Sequence, residues 1–289
     1  MTSTTRPEAR KMPELPEVQT IVDDLVQAGL IGRIIVSCTI FWPGCLAGID
    51  QYAFADGVCA RRVARLWRRG KYIGCRLSSG RSLLVHLRMT GRMVMHDWAA
   101  PYGKHEHVAL GFDDGRELRF YDPRKFGRIW LTDNPDALLH RLGPEPLSRN
   151  FTAQVLAERL AGRQRAIKPL LLDQTFLAGL GNIYVDEALW QARLHPLQAA
   201  GSLSMDQVRA LHRAVRQVLR RGLANGGTSL GRGQGNFSAT IRGTGQNRHA
   251  LKVFRRTGQD CPRCGAVIRR LVVGQRSTHI CPQCQQAGA

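Results

Sequence analysis

The sequence predicts an α+β protein in two halves, and three observations lead there. Residues 33–132 alternate apolar and polar side chains as strands do. From residue 151 the apolar residues recur at helical spacing, and the chain closes with two Cys-x-x-Cys pairs. The first half reads as a β-sandwich with one helix attached, the second as a helical domain followed by a small metal finger.

The elements follow in chain order. At 289 residues there is room for two cores, taking about 150 residues per domain. The opening "MTSTTRPEARK", residues 1–11, has no apolar stretch, which excludes a secretory signal. It is expected to be a disordered leader, absent from the mature protein. From Pro13 a short helix is expected, because Val18, Ile21, Val22 and Leu25 share one face. Pro16 suits a first turn, and Glu14 and Glu17 suit the positive end of the helix dipole. Further on, "HVALGF" and "ELRFYD" meet across Asp113-Asp114-Gly115, and "KYIGCRL" and "SLLVHLRM" flank Ser78-Ser79-Gly80, two hairpin patterns.

The first domain is set at 12–142. A linker at 143–150 lies in "LGPEPLSRN", where turn residues coincide with a change of periodicity. Helices are then expected in "FTAQVLAERLAG", "AIKPLLLDQ" and "NIYVDEALWQA". Another starts at Ser204 with Gln207 in capping-box spacing, and Gly226 stands where its C-terminal cap belongs. Residues 226–250, rich in Gly, Arg, Asn and Thr, read as a long mobile loop. The helical domain is thus 151–250 and the finger 251–289.

Lys and Arg number 42 against 22 Asp and Glu, a net charge of +20 and a pI of about 10.7. Such a chain seeks a polyanion, nucleic acid first, although a solvated basic surface is the plainer alternative. No apolar run reaches the ~18 residues of a membrane helix. The reading is therefore an intracellular protein in a reducing compartment with no membrane partner. Cys38, Cys45, Cys59 and Cys75 fit no metal spacing and are expected to be free structural thiols.

Cys261-Pro-Arg-Cys264 and Cys281-Pro-Gln-Cys284, with sixteen residues between, are the strongest local motif. Four thiolates at that spacing can close a tetrahedral site for one structural Zn2+ with no open position. Two disulfides or a redox dithiol are the alternatives; a reducing compartment and the doubled motif favour zinc. The tip between the knuckles presents Gly274, Gln275 and Arg276.

Taken together, "MPELPEV", "RRGKY", "HLRMTGR", "DPRKFGR", "LGPEPL", "GLGNIYVDEAL" and "GQRSTHICPQCQ", in this order over residues 12–285, resemble the formamidopyrimidine-DNA glycosylases. These bacterial enzymes remove oxidised purines such as 8-oxoguanine from duplex DNA. Leu15 favours them over the pyrimidine-specific endonuclease VIII branch, which tends to carry Gly there. The resemblance implies a helix-two-turn-helix element around "GLGNIY", and a monomer acting on double-stranded DNA with oxidised bases or abasic sites. It also implies that Pro13, once N-terminal, is the nucleophile, with β,δ-elimination following base loss. A terminal proline is a secondary amine, and an α-amino group with a reference pKa of about 7.7–8.0 has a useful neutral fraction near pH 7. An internal proline nitrogen is an amide and cannot attack. Translation from Met12 and removal of Met12 would expose Pro13.

The other roles are likewise carried by the resemblance. Glu14 is the acid that donates to the sugar ring oxygen, with Glu17 in support at the helix start. Lys71 joins the catalytic set as a point charge meeting a phosphate at a strand end. Met89, Arg124 and Phe126 fill the gap left by the flipped base. His86, Asn182 and Arg276 contact phosphates, and Lys168 lies near the damaged base.

Two features depart from the family pattern. The 226–250 loop is longer, more basic and richer in glycine, and Phe254 stands where a tyrosine is usual. The competing expectations are an oxidised-pyrimidine glycosylase of the same superfamily and, if Pro13 stays internal, a non-catalytic zinc-finger protein that binds damaged DNA.

Overall fold

The computed structural model describes residues 12–230, 237, 240–241 and 243–286. The expected leader, residues 1–11, lies outside the described residues, as do residues 231–236, 238–239 and 242 of the loop expected to be mobile. The chain divides into two compact units. One holds Pro13, Glu17–Leu138 and Gly226–Gly245; the other holds Glu14–Pro16, Leu139–Asn225 and the chain from Gln246 onward.

In the first unit, α1 (Leu15–Gln27) turns Val18, Ile21, Val22 and Leu25 into the core as its periodicity demands. The strands are β1 (Ile34–Ile40), β2 (Arg61–Arg69), β3 (Tyr72–Leu77) and β4 (Ser82–His86). They continue as β5 (Arg92–Asp97), β6 (Glu106–Phe112), β7 (Arg116–Tyr121) and β8 (Arg128–Thr132). Their order is β5-β7-β6-β1-β2-β3-β4-β8, antiparallel throughout. The halves join at β1–β2, where Ile34 pairs with Arg62 and Ile35 with Arg61, and the Val63 amide donates to the Arg33 carbonyl just before β1. Two four-stranded layers result. Ile73, Leu83, Val85 and Ile129 of one share a core with Val108, Leu110, Leu118 and Phe120 of the other, which makes the expected sandwich.

A helix interrupts the stretch read as strands. In α2 (Gln51–Val58), the Asp50 carboxylate accepts the Tyr52 and Ala53 amides at 2.9 and 3.0 Å, an N-cap the strand pattern obscured. The base of the 226–245 loop belongs to this unit rather than to the helices it follows. Glu17 accepts the Thr228 amide at 2.7 Å, Asp24 accepts the Ile241 amide at 2.8 Å, and the Thr240 hydroxyl donates to the Met93 carbonyl.

After α3 (Asp136–Leu139), the second unit contains α4 (Ala153–Leu160), α5 (Ile167–Leu172), α6 (Asn182–Ala192) and α7 (Met205–Ala224). Both halves of the capping box form at Ser204 and Gln207, and Gly226 follows the C-cap Asn225 with φ +63°. Helix α6 is buried on all sides from Ile183 to Trp190, which makes it the axis of the unit and puts Asp186 and Glu187 in the interior. The finger carries β9 (Arg269–Val273) and β10 (Arg276–Ile280), joined by Gly274 and Gln275, both at positive φ as a two-residue type I′ turn requires. Among the described residues no helix is long and apolar enough to cross a membrane.

Candidate active site and metal centre

In the second unit the Glu14 carboxylate sits on the N-terminus of α6. It accepts the Ile183 amide at 2.9 Å and the Tyr184 amide at 3.4 Å, two of the donors a helix leaves unpaired. The glycines of "GLGN" make the approach possible. A Cβ on Gly181 would lie 2.4 Å from the Glu14 carboxyl carbon, and one on Gly179 would lie 2.8 Å from Leu15. Gly179 also has φ +87°, and its carbonyl accepts the Leu15 amide at 2.9 Å. The N-terminal motif and "GLGN" are two sides of one contact.

One helical turn into α6 lies a buried charge network. Lys168 pairs with Asp186 at 2.5 Å, both fully buried, and Asp186 also accepts the His279 amide at 2.9 Å with the His279 Nδ1 at 3.0 Å. Lys168, expected near the damaged base, is buried here, and Asp186 supplies the partner that a buried ammonium demands. Burial pushes its pKa down, while Asp186 opposes the shift. Lys168 and the Asn182 amide both donate to the Ser277 carbonyl of β10, at 3.1 and 2.7 Å. The Asn182 side-chain oxygen is buried with no partner among the described residues. Arg276 is exposed at the start of β10. Glu187, which sequence reasoning missed, accepts the amides of Lys252, Val253 and Phe254 and so fixes the stem of the finger. Phe254 is buried with its ring 4.9 Å from that of His279.

The ligand atoms of Cys261, Cys264, Cys281 and Cys284 lie within 4.8 Å of one another. Sulfur pairs at 3.4, 3.5 and 3.9 Å approach the edge of about 3.8 Å that a tetrahedron with Zn–S of about 2.3 Å requires. The Trp190 indole N–H and the Cys284 amide point at Cys261 and Cys281 sulfurs, each at 3.4 Å, donors that suit thiolates. The four residues fit one structural zinc.

In the first unit Pro13 is buried. Glu17, expected to orient the start of α1, spends its carboxylate on the Thr228 amide of the loop. Lys71 is 5 % exposed in the two-residue turn between β2 and β3, after Gly70 at φ +56°. Arg68 ties that turn to α1, donating to the Gln19 side chain and the Gly70 carbonyl. His86 ends β4 with its ring against Tyr72 at 4.7 Å. Burial pulls its pKa down to about 3, helped by Arg88 and Lys71. The Arg88 amide donates to Nδ1 at 3.1 Å, so the neutral ring keeps its proton on Nε2, free to meet an anion. Burial also pushes the Cys38, Cys45 and Cys75 thiols up to about 12, as inert structural cysteines require.

The three residues expected to fill the gap come together. The Arg124 guanidinium lies 4.6 Å from the centre of the Phe126 ring and 3.5 Å from the Met89 sulfur. Phe126 is 46 % exposed, available as a wedge and not spent on the core. Asp122 organises them. Fully buried, it accepts the amides of Arg124, Phe126 and Gly127 at 3.2, 2.8 and 2.7 Å. It also takes the hydroxyl of Thr90, the neighbour of Met89. Asp122 therefore joins the two loops that carry the trio, and its position at the head of "DPRKFG" was the available signal. Asp122→Ala strands three amides and a hydroxyl. It is expected to destabilise the first unit by about 2–4 kcal/mol in urea unfolding. Thr90→Val cuts the loop-to-loop link alone and should lower stability by less than Asp122→Ala in the same unfolding measurement.

Comparisons with known proteins agree with this geometry. Residues 12–129 match the formamidopyrimidine-DNA glycosylase N-terminal domain, 142–233 the formamidopyrimidine-DNA glycosylase H2TH domain, and 258–287 the zinc finger found in FPG and IleRS. The chain is 48% identical over 277 residues to a formamidopyrimidine-DNA glycosylase of Roseiflexus sp. (strain RS-1). It is 45% identical over 275 residues to that of Protochlamydia amoebophila (strain UWE25). Each alignment covers 95% of this chain and 100% of the relative. A Lactococcus lactis FPG mutant in complex with Fapy-dG-containing DNA superposes with a TM-score of 0.88 at 33% identity, covering 95% of this chain and 100% of that one.

Proposed function

Since the chain belongs to the formamidopyrimidine-DNA glycosylase family, we propose that it is a monomeric base-excision-repair enzyme. It removes 8-oxoguanine and formamidopyrimidines from duplex DNA and then cleaves the abasic site. The observation that carries this reading is the Glu14 carboxylate, one residue from Pro13 and fixed on the α6 N-terminus through a contact that needs Gly181.

The reaction starts with Pro13 as a free secondary amine, which requires the mature chain to begin there. As domains we read 12–142, 151–250 and 251–289, with 143–150 as linker and 1–11 absent, the 226–245 segment of the second grouping with the first. The proline lone pair attacks C1′ of the flipped nucleotide as the base departs with the glycosidic electrons. Glu14 donates a proton to the sugar ring oxygen, which opens the ring and leaves an iminium at C1′. The iminium acidifies C2′, and successive β- and δ-eliminations expel the 3′ and 5′ phosphates. Lys71, His86 and Arg276 hold the phosphates, with Asn182 at the α6 N-terminus. Lys168 supports that site through the Ser277 carbonyl it shares with Asn182. Met89, Arg124 and Phe126 occupy the gap in the duplex. Glu17 steadies the loop over the extruded base. The zinc is structural, and the protein works in the cytoplasm on the nucleoid.

Borohydride trapping on an 8-oxoguanine duplex tests this reading. A chain beginning at Pro13 is expected to give a covalent adduct, and one that retains residues 1–12 is expected to give none. Equal trapping by both would assign the chemistry to another amine. Trapping by neither would make the protein a binder of damaged DNA.

A further inference from the structure

On the outward face of the β2-β3-β4-β8 layer only His86, at one edge, has a part in the reaction, and the rest has a composition that neither the sandwich nor the reaction requires. The pairs Trp67↔Gly74, Gly74↔Leu84 and Leu84↔Trp130 put four residues in one row across all four strands. The alternate residues Ile73, Leu83, Ile129 and Leu131 face the core, so this row faces away from it. Trp67 lies flat on the sheet. A Cβ on Gly74 would stand 2.2–2.5 Å from three atoms of its indole, so one ring face is seated on the glycine and the other points outward. Leu84 is fully buried beneath this layer, while Trp67 and Trp130 each keep part of their surface open to solvent.

Arginines flank the row on both sides. Arg65 is paired directly with Arg76, both exposed, and like charges opposite one another on a sheet cost stability. Arg65 has no ion-pair partner among the described residues, and Arg76 reaches only the Ser82 hydroxyl, at 3.4 Å. On the other side stand Arg69 and Arg128, with Tyr72 and His86 between them and the Tyr72 ring 5.8 Å from that of Trp130. None of the outward positions in these three rows is a carboxylate. An open indole face beside Arg65 and Arg76, neither with an ion-pair partner among the described residues, matches the chemistry of an unpaired strand, whose bases stack on aromatic rings and whose phosphates meet cations.

We propose that this face is a second nucleic-acid surface, and that it binds single-stranded DNA. Trp67 is the stacking platform, and Arg65 and Arg76 hold the backbone. The inference does not depend on glycosylase chemistry, since none of the three residues takes part in base excision.

The test uses the full chain, a dT20 oligonucleotide and two variants. Trp67→Ala is expected to weaken dT20 binding by about 5- to 150-fold, the range for loss of one stacked base. The double variant Arg65→Glu/Arg76→Glu keeps like charges opposed, so the cross-strand repulsion persists and no packing is removed. It should flatten the slope of log K against log salt by about 1.4, two phosphate contacts on a single strand. Excision of 8-oxoguanine from duplex should stay at the wild-type rate in the double variant. Wild-type dT20 affinity and salt slope in that variant would overturn the proposal. So would a loss of dT20 binding matched by an equal loss of duplex excision, because the strand would then occupy the repair site itself.

Discussion

Glu14→Gln is expected to lower single-turnover excision of 8-oxoguanine by about 10²- to 10⁴-fold, the usual worth of a positioned proton donor. Binding to a duplex with an abasic-site analogue should change little. The amide keeps one oxygen that can accept the Ile183 amide, so the side chain can stay on the α6 N-terminus. What it loses is the ability to move a proton. A second substitution separates chemistry from position. Gly181→Ala leaves Glu14 intact but sets a methyl 2.4 Å from its carboxyl carbon, a distance no packed structure tolerates. The carboxylate must then leave the helix end, so excision should fall with the chemistry still present in the chain. Gly181→Ala should also lower the melting temperature more than Glu14→Gln, which leaves only the Tyr184 amide without its acceptor. Excision by Glu14→Gln within threefold of wild type would remove Glu14 from the mechanism.

The sequence made local features plain and left long-range pairings hidden. The capping box at Ser204, the core face of α1 and the four cysteines each depend on spacing alone, so they could be read before any fold was known. Met89, Arg124 and Phe126 had no local signature. They came from the family pattern, and the structure joins them through Asp122, whose partners Thr90 and Gly127 lie on different loops. Buried charge was the least legible. Nothing in the spacing of Lys168 shows that Asp186, eighteen positions on, faces it. Glu187 likewise reads as one more helix-forming glutamate, although it accepts amides more than sixty residues away. The 226–245 loop follows the helices in sequence yet groups with the sheet unit. Two carboxylates of α1 hold its amides from more than two hundred positions away, which no periodicity encodes.

Removing zinc should separate the two units by their stability. The finger has a core of its own, built from Trp190, Val253, Cys261, Ile268 and Cys281, and it shares no residue with the sandwich core. So few apolar side chains cannot hold a hairpin without metal, and a structural zinc contributes about 10–16 kcal/mol of apparent binding free energy to such a site. Chelation, or Cys281→Ser, is therefore expected to unfold β9 and β10 while the sandwich keeps its own thermal transition. The consequences reach α6. Without β10 the Ser277 carbonyl no longer accepts from Lys168 and Asn182, and His279 leaves Asp186. The Lys168–Asp186 pair would then lose part of its cover, and the α6 amides should exchange faster with solvent. The phosphate contact proposed for Arg276 would go with β10, so the salt slope of duplex binding should fall by about 0.9, one phosphate contact. Hydrogen exchange with and without chelator, beside a colorimetric zinc count of one per chain, measures all of this. Unchanged exchange at α6 after the metal has gone would mean that the helical core stands without the finger, and that the buried network is held by α5 and α6 alone.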